Sequence, residues 1–104
     1  MIEVVDRPDA ARYEILVDGG IAGFVQYRLR PDVIAFTHAE IREEFEGQGL
    51  GSKLVREALD GARDAGLSVA PLCPFVLRFV QRHPEYQDLV ADQYRDLVKS
   101  GPAE

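Results

Sequence analysis

The sequence predicts an α/β chain built on a mixed sheet: an antiparallel meander, then a βαβ unit, then C-terminal helices. Three observations carry that prediction. The first forty residues are alternating apolar runs separated by turn residues, and Asp18-Gly19-Gly20 is the clearest hairpin among them. Residues 50–65 place apolar side chains at helical spacing. A short apolar run, 67–72, follows that helix directly, so it pairs parallel to the strand before the helix.

The elements follow in order. Residues 2–5 form a short edge strand, broken at Asp6-Arg7-Pro8-Asp9. Residues 12–17 form a strand with Tyr13, Ile15 and Val17 on one face, and 21–29 is its return, where Gly23 marks a bulge or a close approach. After Arg30-Pro31-Asp32, residues 33–41 form a third long strand; simple alternation puts Ile34, Phe36, His38 and Glu40 on one face and Ala35, Thr37, Ala39 and Ile41 on the other. The helix over 50–65 buries Leu50, Leu54, Val55, Ala58, Leu59, Ala62 and Ala65, and Gly66 ends it. A short helix over 75–82 turns Val76, Phe79 and Val80 to the core and stops at His83-Pro84. A last helix over 86–99 presents Leu89, Val90, Tyr94, Leu97 and Val98, and a frayed tail follows from Ser100 to Glu104.

With 104 residues, the chain is long enough for one domain, 1–104, and too short for two. Its 46% hydrophobic content is that of a folded globular protein. No apolar run is long enough to cross a membrane and no secretory leader is visible, which predicts a cytoplasmic protein with no membrane partner. Cys73 is the single cysteine, so no disulfide framework or cysteine-based metal site is expected. The formal net charge of −6 disfavours nucleic acid as a partner; it suits a cationic or amine substrate, and solubility alone selects the same balance.

Chemistry concentrates at Glu46-Gly47-Gln48-Gly49-Leu50-Gly51-Ser52-Lys53, between the third strand and the helix. The first amides of a helix have no intrahelical acceptor and sit at the positive end of its dipole. A glycine turn feeding such amides is suited to a phosphate or diphosphate, and it is also a common way of making a tight, closely packed turn. Gly51-Ser52-Lys53 inverts the order a Walker loop needs, and evenly spaced Gly47, Gly49 and Gly51 do not fit the dinucleotide fingerprint. His38 and Glu40, at the end of the strand running into this turn, are either a proton-relay pair or a structural polar pair. Cys73, after a strand and before a helix, is either a functional thiol near a helix dipole or a packed core residue.

The meander, the strand ending Ala39-Glu40-Ile41, the turn Glu46 to Ser52 and the helix after it resemble the acyl-CoA-binding core of the GCN5-related N-acetyltransferases. His38-x-Glu40, Pro71-x-Cys73 and His83-Pro84-Glu85-Tyr86 narrow the resemblance to the small, single-domain acetyltransferase-like branch, over about residues 10–95. The resemblance implies an acetyl-CoA-dependent N-acetyltransferase acting on an amine, on a small molecule or a protein lysine. A CoA- or acyl-CoA-binding module without turnover is the alternative. It implies that Gly47, Gln48, Gly49, Leu50, Gly51 and Ser52 hold the CoA diphosphate, with Glu46 where Gln or Arg is usual. Ala39, Glu40 and Ile41 would bond the pantetheine arm, and Arg42, Lys53, Arg78 and Arg82 are candidates for the outer phosphates, each also an ordinary surface charge. The tyrosine acid of larger relatives falls near Val80, and Cys73 is the candidate replacement, as acid or transient acyl carrier. His83 and Tyr86 are further candidates, or simply close the core. The hairpin at Asp18-Gly19-Gly20 leaves no room for the substrate-recognition insertion of larger relatives.

Overall fold

The computed structural model describes residues 1–100. Five strands form one sheet in sequence order: β1 (Ile2–Arg7), β2 (Arg12–Val17), β3 (Gly20–Leu29), β4 (Val33–Ile41) and β5 (Ser68–Pro71). The first four are antiparallel neighbours, and β5 pairs parallel to β4. Between β4 and β5 runs α1 (Leu50–Asp64); α2 (Pro74–Arg82) follows β5, and α3 (Arg95–Ser100) lies near the end. The expected meander, βαβ unit and C-terminal helices are therefore present. The molecule measures 38 × 35 × 19 Å, the thickness of one sheet and one layer of helices.

The helix α1 forms because its apolar residues recur on one stripe. Leu50, Leu54, Val55, Ala58, Leu59 and Ala62 are all buried, whereas Ala65, expected among them, is exposed just past the helix end. The end is closed by backbone: the amides of Gly66 and Leu67 donate to the carbonyls of Arg63 and Ala62, the paired bonds of a Schellman cap. On the sheet, Ile15, Val25, Tyr27, Ile34 and Phe36 meet this stripe, and Val76, Phe79 and Val80 of α2 complete the core.

Two expectations fail, each for a local reason. In β4 the pairing with β3 runs Gln26 with His38 and Tyr27 with Phe36, so Thr37 is an extra residue without a partner. This bulge resets the alternation: Ile34 and Phe36 face the core, and so do Ala39 and Ile41, while His38 and Glu40 go to the opposite face. The single-face grouping of Ile34, Phe36, His38 and Glu40 is thereby corrected. The second failure is the helix over 86–99. Residues Pro84–Leu89 and Asp92–Tyr94 make 3-10 turns, and only Arg95–Ser100 is α-helical. Between the turns the chain is extended, with Val90 bridging Val69 and the amide of Ala91 donating to the Val69 carbonyl at 2.9 Å. The outer edge of β5 needs backbone partners, and this segment supplies them. Leu97, expected to be apolar-facing, is 45% exposed. Of the expected tail, residues 101–104 lie outside the described residues.

Candidate functional site

The pairing of β4 with β5 stops at Phe36 and Pro71, immediately before the Thr37 bulge. Beyond that point the strands part. A groove of about 170 Å³ lies there, lined by Ala39, Glu40, Ile41, Leu54 and Phe75. Three of its walls are the β4 residues expected at the cofactor arm. Phe75 is the contribution missed in the sequence. It lies off the Val76, Phe79 and Val80 stripe and stays 39% exposed, which in hindsight sets it apart from a core residue.

The glycine turn lies next to the groove, where Gly51 meets Phe75 and Ile41. Gly47 and Gly49 take φ of 84° and 77°, a region L side chains rarely adopt, and a Cβ at either would meet nothing within 4 Å. They are needed for their backbone angles, not for space. Gly51 is the reverse case: a Cβ there would lie 2.7 Å from Phe75 Cζ, so its bare backbone lets the start of α1 approach α2. Gly49 is the N-cap residue of α1 and no side chain caps the helix. Among the described residues, none accepts a hydrogen bond from the amides of Gly47, Gln48, Gly49, Leu50, Gly51 or Ser52; on either side of them the Glu46 amide donates to the Glu43 carbonyl and the Lys53 amide to the Gly49 carbonyl. Glu46 is exposed.

His38 and Glu40 are brought together, with Nε2 of the imidazole 2.8 Å from the carboxylate Oε2. Both are about half exposed, on the sheet face away from α1. The His38 ring lies 6.1 Å from Phe24, whose other neighbour is the Arg12 guanidinium at 4.7 Å. Glu40 also contributes to the groove, so this pair borders it from the opposite face.

Cys73 is the N-cap residue of α2, only 3% exposed and part of the core. Its amide donates to the Phe36 carbonyl at 2.8 Å, which fixes it at the point where β4 and β5 separate. Val80, near which the resemblance placed a tyrosine acid of larger relatives, is fully buried and has no ionisable group. Tyr86 is held for structure: its hydroxyl donates to Asp60 at 2.7 Å and receives Arg56 at 3.4 Å, and burial followed by the Asp60 bond pushes its pKa up. His83 stacks on Phe79 at 3.9 Å, and its Nδ1 bonds the Phe79 carbonyl at 2.7 Å.

The fold has a counterpart among solved structures. Comparison with curated proteins gave no match at matching stringency. Among solved structures, the chain is similar to the NMR solution structure of a GCN5-like protein from Staphylococcus aureus, with a TM-score of 0.67 and 23% identity over 86% of this chain and 87% of that one. That likeness shows the fold. A family model described as GCN5-related N-acetyl-transferase matches residues 12–89, most of the chain and every element from β2 to the turn after α2. The chain belongs to the GCN5-related N-acetyltransferase family.

Proposed function

We propose that the protein is a minimal acetyl-CoA-dependent N-acetyltransferase that transfers acetyl to an amine of a small molecule or a protein lysine. The observation that supports this reading is the row of unpartnered amides from Gly47 to Ser52, in a turn that meets Phe75 and Ile41 of the groove at Gly51. Acetyl-CoA supplies an activated thioester; the chain's residues bind it and manage protons. The turn amides would hold the diphosphate, and β4 beyond the bulge would bond the arm through its free edge. Attack by a neutral amine forms the amide C–N bond and breaks the C–S bond. His38, oriented by Glu40, would take the amine's proton through water. Cys73 would donate a proton to the departing sulfur and regain it from solvent. The resemblance puts the tyrosine acid of larger relatives near Val80, which is buried and has no ionisable group, and this supports a cysteine in that role.

The first test is a thermal-shift titration with CoA and acetyl-CoA; ligand at about 100 times its Kd stabilises by about 2.7 kcal/mol. The second follows free thiol released from acetyl-CoA with a panel of amines. Stabilisation and amine-dependent thiol release are expected, with turnover falling about 100-fold or more in His38→Ala and in Cys73→Ala. No stabilisation by either ligand overturns the reading. Stabilisation without thiol release leaves a CoA-binding module in its place.

A further inference from the structure

We propose that the acetyl acceptor is a free diamino acid, its α-head group held by Arg30 and Asp32 in a hollow on the helix-free sheet face and its second amine presented to His38. This rests on the transferase reading above, which leaves small molecules and protein lysines equally open. The hollow, of about 360 Å³, has Arg30 and Asp32 at one end, Ala35 and Ala70 beneath it, and Leu72 and Tyr94 in its walls.

Local structure makes the hollow. Ile34, Phe36 and Val69 point into the core, so Ala35 and Ala70 next to them point the other way. They are partners in the parallel register of β4 and β5 and are buried there, outside the core cluster. Two alanines side by side leave a depression that larger strand residues would fill. Ala91 bonds the edge of β5, and the 3-10 turn Asp92–Tyr94 that follows brings Tyr94 alongside.

The end of the hollow carries both signs of charge. Arg30 and Asp32 flank Pro31 in the tight hairpin between β3 and β4, closed by the Arg30 amide on the Val33 carbonyl at 2.8 Å. Arg28 lies opposite Ala35 and so shares this face. Among the described residues, the side chains of Arg28, Arg30, Asp32 and Tyr94 make no ion pair or hydrogen bond. Arg7 and Arg12, on the same face, are both taken up by Glu14. A guanidinium fork fits a carboxylate, and Asp32 fits an ammonium. Together they match the head group of a free amino acid. A lysine within a polypeptide has amide bonds at both places and offers neither charge.

The far end of the hollow leads to the reaction site. On this face Ala35 is followed, past the Thr37 bulge, by His38, at most about 11 Å along the strand. Leu72 precedes Cys73, whose amide is bonded to Phe36 where β4 and β5 part. A methylene chain lying over the two alanines therefore carries a second amine from the head group to His38. That amine attacks the thioester: the N–C bond forms, the C–S bond breaks, its proton passes to His38 through water, and the sulfur takes the proton of Cys73. The α-ammonium stays protonated on Asp32 and does not react.

The test follows free thiol released from acetyl-CoA by the full chain with four acceptors. These are free lysine, cadaverine (which lacks the carboxylate), ε-aminocaproate (which lacks the α-ammonium) and a lysine peptide blocked at both ends. Free lysine is expected to exceed each of the other three about tenfold or more in kcat/KM. Arg30→Gln should remove its advantage over cadaverine, and Asp32→Asn its advantage over ε-aminocaproate; melts with CoA check that each variant is folded. Equal kcat/KM for all four, a faster blocked peptide, or advantages that survive both substitutions overturn the diamino-acid assignment and leave the transferase reading intact. Stabilisation by CoA with no thiol release for any amine overturns both.

Discussion

Glu14 is the one charged side chain buried among the described residues, and it sits on the sheet face that carries no helix. Two arginines cover it: Arg7 Nε donates to one oxygen at 3.1 Å and Arg12 Nε to the other at 2.8 Å. Burial pushes its carboxyl up, but the hydrogen bonds from Arg12 and Arg7 outweigh that and hold it below the usual carboxylate range. A depressed folded-state value contributes stability above the ordinary carboxylate pKa of about 4.3, lost as pH falls through the folded value. Glu14→Gln should therefore cost about 1–3 kcal/mol at neutral pH. In paired melts of both proteins, the gap should shrink as the pH drops below 4; a gap independent of pH would refute the charge argument. None of this was legible in the sequence. Alternation marks Glu14 only as the outward neighbour of Ile15, and what buries it comes from β1 and from its own strand. Gly47 and Gly49 were legible, because a backbone requirement shows directly in residue type.

At the scale of elements, the strands and α1 were readable because their apolar periods are long and their ends are punctuated. The segment after His83 was not. Leu89, Val90, Tyr94, Leu97 and Val98 satisfy a helical period, yet the chain spends Val90 and Ala91 on the edge of β5. Edge demand is a tertiary fact, and no local pattern in 86–99 announces it. Ala91→Pro tests this assignment cleanly. Ala91 already has φ −60° and ψ 145°, and Val90 before it has φ −68° and ψ 130°, both compatible with proline at 91. The substitution removes the N–H that serves the Val69 carbonyl and should cost about 1–3 kcal/mol in a denaturant melt. A neutral result would mean that the edge contact contributes nothing to stability.

The whole molecule is a plate, 19 Å thick, with α1 and α2 on one side and His38, Glu40, Phe24 and Gln26 on the other. Its short connections explain the shape: one 3-10 turn, Pro8–Ala10, and the Asp18-Gly19 turn join the first three strands without any inserted α-helix. The layer order followed from the sequence, since a meander and one βαβ crossover leave few arrangements. The face assignment of the candidate pair did not follow, because one unpaired residue reverses it. That residue offers a way to separate foldedness from function. Removing Thr37 outright would let Phe36 and His38 become consecutive partners of Tyr27 and Gln26, with every remaining side chain on its present side. The shortened chain should melt cooperatively near the parent temperature, but with an unbent fourth strand that no longer swings residues 39–41 away from the start of α2 it should show no thermal response to CoA. A single missing codon would thus act as a loss-of-binding allele that abundance measurements could not detect.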